Sequence, residues 1–355
     1  MGIKIFTIMK SINILSSESI RSALQKISKS GTKCIAVVDN KNKLLGTLSD
    51  GDIRRAILKK AKLSKSISSI YNKKPFYFIE NQYSLEKIKK YFLNNKIDII
   101  PVVNNRNQLV KIINWNEIFK NNKVLKKIKD LQVVIMAGGK GTRLKPFTNI
   151  LPKPLIPIKD NTAIELIIEN LISYGLDNFT ISIHEKSEII KAFFHELQPK
   201  YKVNFIKEPK PLGTIGSLKL LKKNNLKNNI LVTNCDILSN FDLIDFYNFH
   251  KDNHFDLTMV ASEKRFEIPY GVCKIFNEGT LKSVEEKPSF DFLVNIGIYI
   301  INKKIINLVP KNKLFNANEL INRAKKKGFK VGVFPVSESN WQDTGQWSEF
   351  SKIKL

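Results

Sequence analysis

The sequence predicts a two-domain α/β protein, and three observations carry that prediction. Within the first 125 residues one strand-turn-strand-helix layout occurs twice, at a period of about 60 residues. After Leu131, apolar runs alternate with amphipathic stretches, the pattern of an open, mainly parallel sheet with helices on both faces. The first of those runs, Val133 to Ala137, enters Gly138-Gly139-Lys140-Gly141-Thr142-Arg143, a glycine-rich loop at the strand end where such sheets bind ligands. At 355 residues the chain can fill two domains, and 43% hydrophobic residues can build their cores.

Composition narrows the function classes. The formal charge of +27 admits a nucleic-acid binder. Yet lysines are spread along both halves with no continuous basic block, which fits codon-level lysine enrichment and anionic small-molecule substrates better. Nucleic acid is therefore not the expected partner. Cys34, Cys235 and Cys273 form an odd, widely spaced set without C-x-x-C, which argues against disulfides and zinc and for a reducing cytoplasm. The N-terminal apolar patch of Ile3, Ile5, Phe6 and Ile8 is too short for a signal peptide. No run reaches the roughly 20 apolar residues that span a bilayer, so a cytoplasmic protein without a membrane partner is expected.

In the first repeat, placed at about residues 8–62, Ile20, Leu24 and Ile27 give helical spacing over 19–28. Residues 34–39 read as a buried strand, 40–43 as a turn and 44–49 as a second strand. Asp50-Gly51-Asp52 opens a helix over 53–60, with an aspartate placed to cap it. In the second repeat, about 66–122, the layout recurs as a helix over 84–94, a strand at 99–103, a turn at 104–107 and a strand at 108–113. Asn114-Trp115-Asn116 then leads into a helix from Glu117. Residues 126–131 form a lysine-rich linker to the second domain.

This N-terminal portion resembles a tandem CBS domain pair. The resemblance implies an adenine-nucleotide site where G-x-x-[ST]-x-x-D fits, at Gly46, Ser49 and Asp52. The equivalent positions of the second repeat, Val110, Ile113 and Asn116, lack the glycine, hydroxyl and carboxylate. A purely structural or dimerising pair is the alternative, and by analogy a homo-oligomer is expected.

In the second domain, residues 132–355, three glycines in four positions let backbone approach a ligand, and free N–H groups there form an anion site. Arg143 and Lys153 bring positive charge to the same mouth, and Pro146, Pro152, Pro154 and Pro157 keep the exit extended. An amphipathic helix over 162–174, a strand at 178–184, a helix over 188–197 and a strand at 202–206 follow. Residues 208–217 form a proline-rich loop opening a helix at 217–221. Residues 230–237 read as an apolar strand ending in Asp236, a natural magnesium position because Mg²⁺ prefers carboxylate, water and phosphate oxygen. A strand pair at 272–276 and 281–284 precedes Glu285-Glu286-Lys287-Pro288. A buried strand over 292–300 is broken by Asn295 and Gly297, which suggests close ligand approach. A helix over 316–327, a strand at 331–336 and a helix over 347–352 complete the chain.

The pattern GGxGTRL…PKPL over Gly138 to Leu155 is neither the Rossmann nor the P-loop spacing. It resembles the signature of the sugar-1-phosphate nucleotidyltransferases, and the resemblance extends over nearly all of the chain after Leu131. It implies a Rossmann-like mixed-sheet domain in which Ala137, Gly138, Gly139, Gly141, Thr142, Arg143, Glu208, Gly213 and Thr214 bind the nucleotide. It gives the sugar phosphate Gly271, Glu286, Lys287 and Asn295, and the metal Asp236 together with Asp343 of a W-x-D-x-G pattern. Arg143, Lys153 and Asp236 become the catalytic residues, and Asn318 stands where the family often has an acid. Glu208 lies near the family's base-reading glutamine. A carboxylate only accepts, which suits the two donors of guanine. The expected reaction is Mg²⁺-dependent nucleotidyl transfer from GTP. A CBS pair fused to such a domain resembles the glucosamine-1-phosphate guanylyltransferases of legionaminic acid pathways. Mannose 1-phosphate and glucose 1-phosphate, uridylyl or thymidylyl transfer, and a CBS-based sensor without catalysis are the alternatives.

Overall fold

The computed structural model describes residues 13–30, 32–95, 97–114, 118, 127–222 and 226–347. The expectations for the N-terminal apolar patch, for Asn116 and for all of the closing helix over 347–352 beyond Trp347 fall outside them, as does most of the helix from Glu117. The chain divides into two compact units, Met1–Val124 and Leu125–Leu355. No helix among the described residues is long and apolar enough to cross a membrane.

The first unit contains the two repeats. The first comprises β1 (Asn13–Leu15), α1 (Ile20–Ser30), β2 (Cys34–Val38), β3 (Leu44–Ser49) and α2 (Asp50–Leu58). The second comprises β4 (Phe78–Ile79), α3 (Leu85–Asn95), β5 (Ile99–Val103) and β6 (Leu109–Asn114). Each makes a three-stranded sheet, ordered β1-β2-β3 and β4-β5-β6. β1 and β4, with three and two residues, carry no periodicity and were not expected.

The helices bury the stripe that the sequence marks: Ile20, Leu24 and Ile27 lie against Ile35, Val37 and Leu48. In the second repeat Ile88 and Phe92 lie against Ile100, Val102 and Ile113. Val38 and Leu44 of one repeat meet Val103 and Leu109 of the other. The turns complete a two-fold exchange. Leu44 N–H donates to Asn107 O and Leu109 N–H to Asn42 O, both at 2.9 Å. The side chain of Asn42 reaches Leu109 O at 2.9 Å and that of Asn107 reaches Leu44 O at 3.3 Å. Both asparagines have φ 59°, a left-handed conformation that this residue type tolerates. The repeat seen in the sequence is thus a pseudo-symmetric pair.

One expectation changes here. The cap of α2 is Ser49, whose Oγ accepts from Asp52 N–H, while Asp52 at the third helical position accepts back from Ser49 N–H. The aspartate completes a capping box rather than being the cap, and the helix begins at Asp50.

In the second unit the strands are β7 (Leu131–Ala137), β8 (Pro157–Ile158), β9 (Asn161–Thr162), β10 (Asn178–Ile183), β11 (Lys202–Lys207), β12 (Asn229–Asn234) and β13 (Ile237–Ser239). They continue as β14 (Leu257–Glu267), β15 (Val272–Ile275), β16 (Leu281–Glu285), β17 (Ser289–Asn302), β18 (Val331–Val336) and β19 (Trp341–Asp343). The helices are α4 (Ala163–Ile172), α5 (Ser187–Leu197), α6 (Leu243–Asp252) and α7 (Ala317–Lys326). Seven strands form one sheet in the order β11-β10-β7-β12-β17-β14-β18. Only β17 runs antiparallel to its neighbours, so the sheet is mixed and mainly parallel.

Alternate residues of β7 serve opposite faces, as strand geometry requires. Val133 and Ile135 share a core with Ile164 of α4, Ile190 of α5 and Phe246 of α6. Val134 and Met136 share another with Leu320 of α7. Helices therefore cover both faces. The proline-rich exit from the glycine loop is not extended throughout: it makes three single 3₁₀ turns, Thr142–Leu144, Phe147–Asn149 and Lys153–Leu155. The helix expected at 217–221 is a 3₁₀ turn, Gly216–Leu220.

α6 carries a buried histidine. His250 is 2% exposed, with Nδ1 2.8 Å from Thr258 Oγ1 and Nε2 3.3 Å from Asn229 Oδ1. Burial pushes its pKa down from 6.5 to about 4. Between those values the unfolded chain binds the proton and the folded one does not. Stability is therefore fully present above about pH 6.5 and falls as pH drops toward 4. Melting temperatures measured across that window should fall with pH, and His250→Gln should flatten the fall.

Candidate active site

The glycine loop leaves β7 at the carboxyl end of the sheet. Ala137 is its last buried strand residue. Gly138 lies directly on Glu208: a Cβ there would stand 2.5 Å from Glu208 Oε1. Glu208 is 3% exposed and its carboxylate is held in place, accepting from Ser182 Oγ at 2.7 Å and from Leu212 N–H at 3.0 Å. Gly139 has open space on its Cβ side. Gly141 adopts φ 65°, and its carbonyl accepts from Leu144 N–H at 3.0 Å and Thr148 Oγ1 at 2.9 Å. Lys186 Nζ then donates to Thr148 O at 2.6 Å, tying the exit segment to the start of α5. Thr142 and Arg143 are exposed at the mouth.

Asp236 does not end the strand, as the apolar run suggested; it lies in the short connection between β12 and β13. It is 5% exposed, and Lys153 Nζ donates to its Oδ2. Asp343 reaches the same place through strand pairing, since β13 and β19 are antiparallel with Ile237 opposite Asp343. Thr344 locks the arrangement by donating to Asp236 O from its N–H at 2.9 Å and its Oγ1 at 3.0 Å. Asp343 is oriented by Gly345 N–H on Oδ1 at 2.9 Å and Gln346 Nε2 on Oδ2 at 2.7 Å. A Cβ at Gly345 would overlap Asp236 Oδ2 and stand 2.7 Å from Lys153 Nζ. Only a residue without a side chain leaves room for that ion pair.

Arg143, Asp236 and Asp343 line one cavity of about 570 Å³ together with Thr214, Asn295 and Gly297, whereas Lys153, Glu208 and the loop glycines are outside its lining. Thr214 is held against α7: its N–H donates to Asn316 Oδ1 at 3.3 Å and its Oγ1 accepts from Ala317 N–H at 2.9 Å. Gly213, just before it, is left-handed at φ 81°. Asn295 accepts from Gly297 N–H at 3.0 Å and donates to Tyr299 OH at 2.9 Å.

Gly271, Glu286 and Lys287 stand apart from this lining, on exposed backbone flanking β15 and β16. Gly271 and Glu286 do meet: a Cβ at Gly271 would lie 3.1 Å from Glu286 Oε2. The cavity also contains residues that the sequence reading did not select, among them Asn234, Lys264, Tyr299, Trp341 and Gln346. Trp341 Nε1–H is buried and has no acceptor among the described residues. Its place in the W-x-D-x-G pattern was the available signal.

The donor set suits magnesium. Two carboxylates from separate segments, the β12–β13 connection and β19, face one cavity, and Mg²⁺ is ordinarily held by one or two carboxylates plus water and substrate phosphate. Among the described residues no group of three or more His, Cys, Asp or Glu side chains forms a protein cage.

In the first unit, Ser49 Oγ donates to Asp52 Oδ2 at 2.6 Å, and Arg55 pairs with Asp52 at 2.5 Å. Gly46 faces Tyr71 and Asn72 so closely that a Cβ would overlap Asn72 O. In the second repeat Val110 is exposed and Ile113 is buried.

Comparison with known proteins gives two family matches: Nucleotidyl transferase over residues 132–355 and CBS domain over residues 6–59. A mannose-1-phosphate guanyltransferase of Yarrowia lipolytica is 30% identical over 228 residues, covering 61% of this chain and 61% of the relative. A D-glycero-alpha-D-manno-heptose 1-phosphate guanylyltransferase of Campylobacter jejuni is 31% identical over 198 residues, covering 56% of this chain and 87% of the relative. The crystal structure of HddC from Yersinia pseudotuberculosis has 28% identity and a TM-score of 0.49, over 62% of this chain and 97% of that one. The matched region thus spans 61% of the length of the Yarrowia relative.

Proposed function

We propose, from the premise that this chain belongs to the Nucleotidyl transferase family, that it transfers a nucleotidyl group from a nucleoside triphosphate to a sugar 1-phosphate and releases pyrophosphate. The observation that carries the proposal is the convergence of Asp236, Asp343 and Arg143 on one cavity beside the glycine loop.

A phosphate oxygen of the acceptor attacks the α-phosphorus in line. That oxygen is already ionised, so no general base is needed and the protein's task is positioning and charge neutralisation. Arg143, exposed and without an acidic partner among the described residues, faces the leaving pyrophosphate. Lys153, held by Asp236, supplies positive charge near the α-phosphate. Magnesium bound at Asp236 and Asp343 would neutralise phosphate charge as the reaction proceeds.

GTP is the donor we favour. Glu208 keeps an acceptor-only group against Gly138, each of its oxygens has a second lone pair beyond the bond it accepts, and guanine presents two donors. The relatives named above are guanylyltransferases. For the acceptor we retain glucosamine 1-phosphate, as in nonulosonic (legionaminic) acid biosynthesis. The names of the relatives give mannose 1-phosphate equal standing. Gly46, Ser49 and Asp52 are the residues we propose for an adenine nucleotide in the first unit.

The test is pyrophosphate release from four nucleoside triphosphates, each paired with glucosamine, mannose, heptose and glucose 1-phosphates in the presence of magnesium. Release with GTP and at least one of these acceptors is expected. Release with no combination, from folded protein, would overturn the proposal.

A further inference from the structure

Lys264 is the charged residue of the cavity lining that belongs neither to the glycine loop nor to the aspartate pair. It lies on the outer half of β14, half-buried, and lines the cavity together with Val294 and Asn295 of β17. Strand alternation sends Arg265 to the opposite side of the ribbon. There Arg265 is satisfied, with Nη2 2.6 Å from Ser289 Oγ and Nε 3.2 Å from Glu267. The Lys264 ammonium has neither a hydrogen bond nor an ion pair to any described residue, while its backbone pairs with Phe292 in the sheet. A half-buried ammonium with no carboxylate paired to it favours the arrival of an anion in the cavity.

Charge counting points the same way. Among the charged residues lining the cavity, Arg143 and Lys264 balance Asp236 and Asp343. Arg143 projects from the glycine loop, at the triphosphate end. Lys264 comes instead from β14, which pairs with β17, the strand that carries Asn295, the residue assigned to the acceptor. A phosphate monoester carries about two negative charges at neutral pH, and without Lys264 no lining cation would serve it there. Lys287, the residue singled out for that phosphate in the sequence, is exposed and outside the lining.

Resting on the nucleotidyl-transfer reading, we infer that Lys264 is an acceptor-binding residue whose ammonium engages the phosphate of the sugar 1-phosphate. It acts on acceptor affinity and leaves the nucleotide untouched. A charge-assisted hydrogen bond of this kind is worth about a tenfold or greater change in Kd.

The experiment is calorimetric titration of the full-length wild type, K264Q and K264R with mannose 1-phosphate, glucosamine 1-phosphate, the corresponding unphosphorylated sugars and GTP. Melting curves control for folding. K264Q should weaken sugar 1-phosphate binding about tenfold or more, K264R should restore most of it, and Kd for GTP should not move. Equal binding by wild type and K264Q, an effect on GTP instead, an equal effect on the unphosphorylated sugars, or no sugar phosphate binding by wild type would each overturn the inference. Pyrophosphate release is read separately. Turnover by wild type with unchanged acceptor binding in K264Q rejects Lys264 alone, whereas loss of the whole transfer reading requires that wild type release no pyrophosphate.

Discussion

Asp236→Asn should lower kcat about a thousandfold or more while the protein stays folded. The substitution keeps size and one acceptor but removes the charge that holds Lys153 and that would hold a metal. Loss of one member of a buried ion pair can cost about 3–5 kcal/mol. The side chain of Lys153 retains 14% exposure, and asparagine can still accept its hydrogen bond, so the stability loss should sit at or below the low end of that range. Steady-state rates together with melting curves separate the two effects. A folded variant that turns over at close to the wild-type rate would remove Asp236 from the machinery.

Gly345→Ala should also be damaging, though less so, for a steric reason. Gly345 is not left-handed, so its backbone accepts alanine without strain. The added methyl would instead overlap Asp236 Oδ2 and stand 2.7 Å from Lys153 Nζ and 2.8 Å from Lys153 Cε. The lysine can swing aside. The aspartate has less freedom, because Thr344 fixes its backbone carbonyl with two hydrogen bonds. A displacement near 1 Å at a reacting centre can cost about a hundredfold in rate, and that fall in kcat is expected here. A rate within about threefold of wild type would mean that the carboxylate has slack that these contacts do not suggest.

The parts of this site that were legible in the sequence are those built from short local patterns. An apolar strand running into a glycine loop signals its own geometry, and so does an aspartate just beyond an apolar run. The strand-helix alternation after Leu131 translated directly into the mainly parallel sheet, because its central strands β7, β10 and β12 are buried on both faces and read as continuous apolar sequence. The parts that were not legible depend on pairings between distant segments. Nothing local in Lys153 reveals that it meets Asp236, and nothing in Lys186 reveals that it holds Thr148.

β14 and α6 escaped for different reasons. The outer half of β14 is exposed and charged, so its alternation is lost, and with it went the position of Lys264. α6 did carry a readable start in Asp242, whose carboxylate accepts from Ile244 and Asp245 N–H. At α2 the sequence contained both members of the capping box, and choosing between Ser49 and the aspartates needed the backbone, which is extended at Ser49 and helical after it.

The most direct measurement is a crystal structure of the protein with magnesium and a non-hydrolysable GTP analogue. One metal ion is expected with oxygens of both Asp236 and Asp343 at about 2.1 Å, and the triphosphate lying along residues 138–143. A metal–nucleotide complex seated elsewhere, or one in which either carboxylate turns away from the metal, would contradict that expectation.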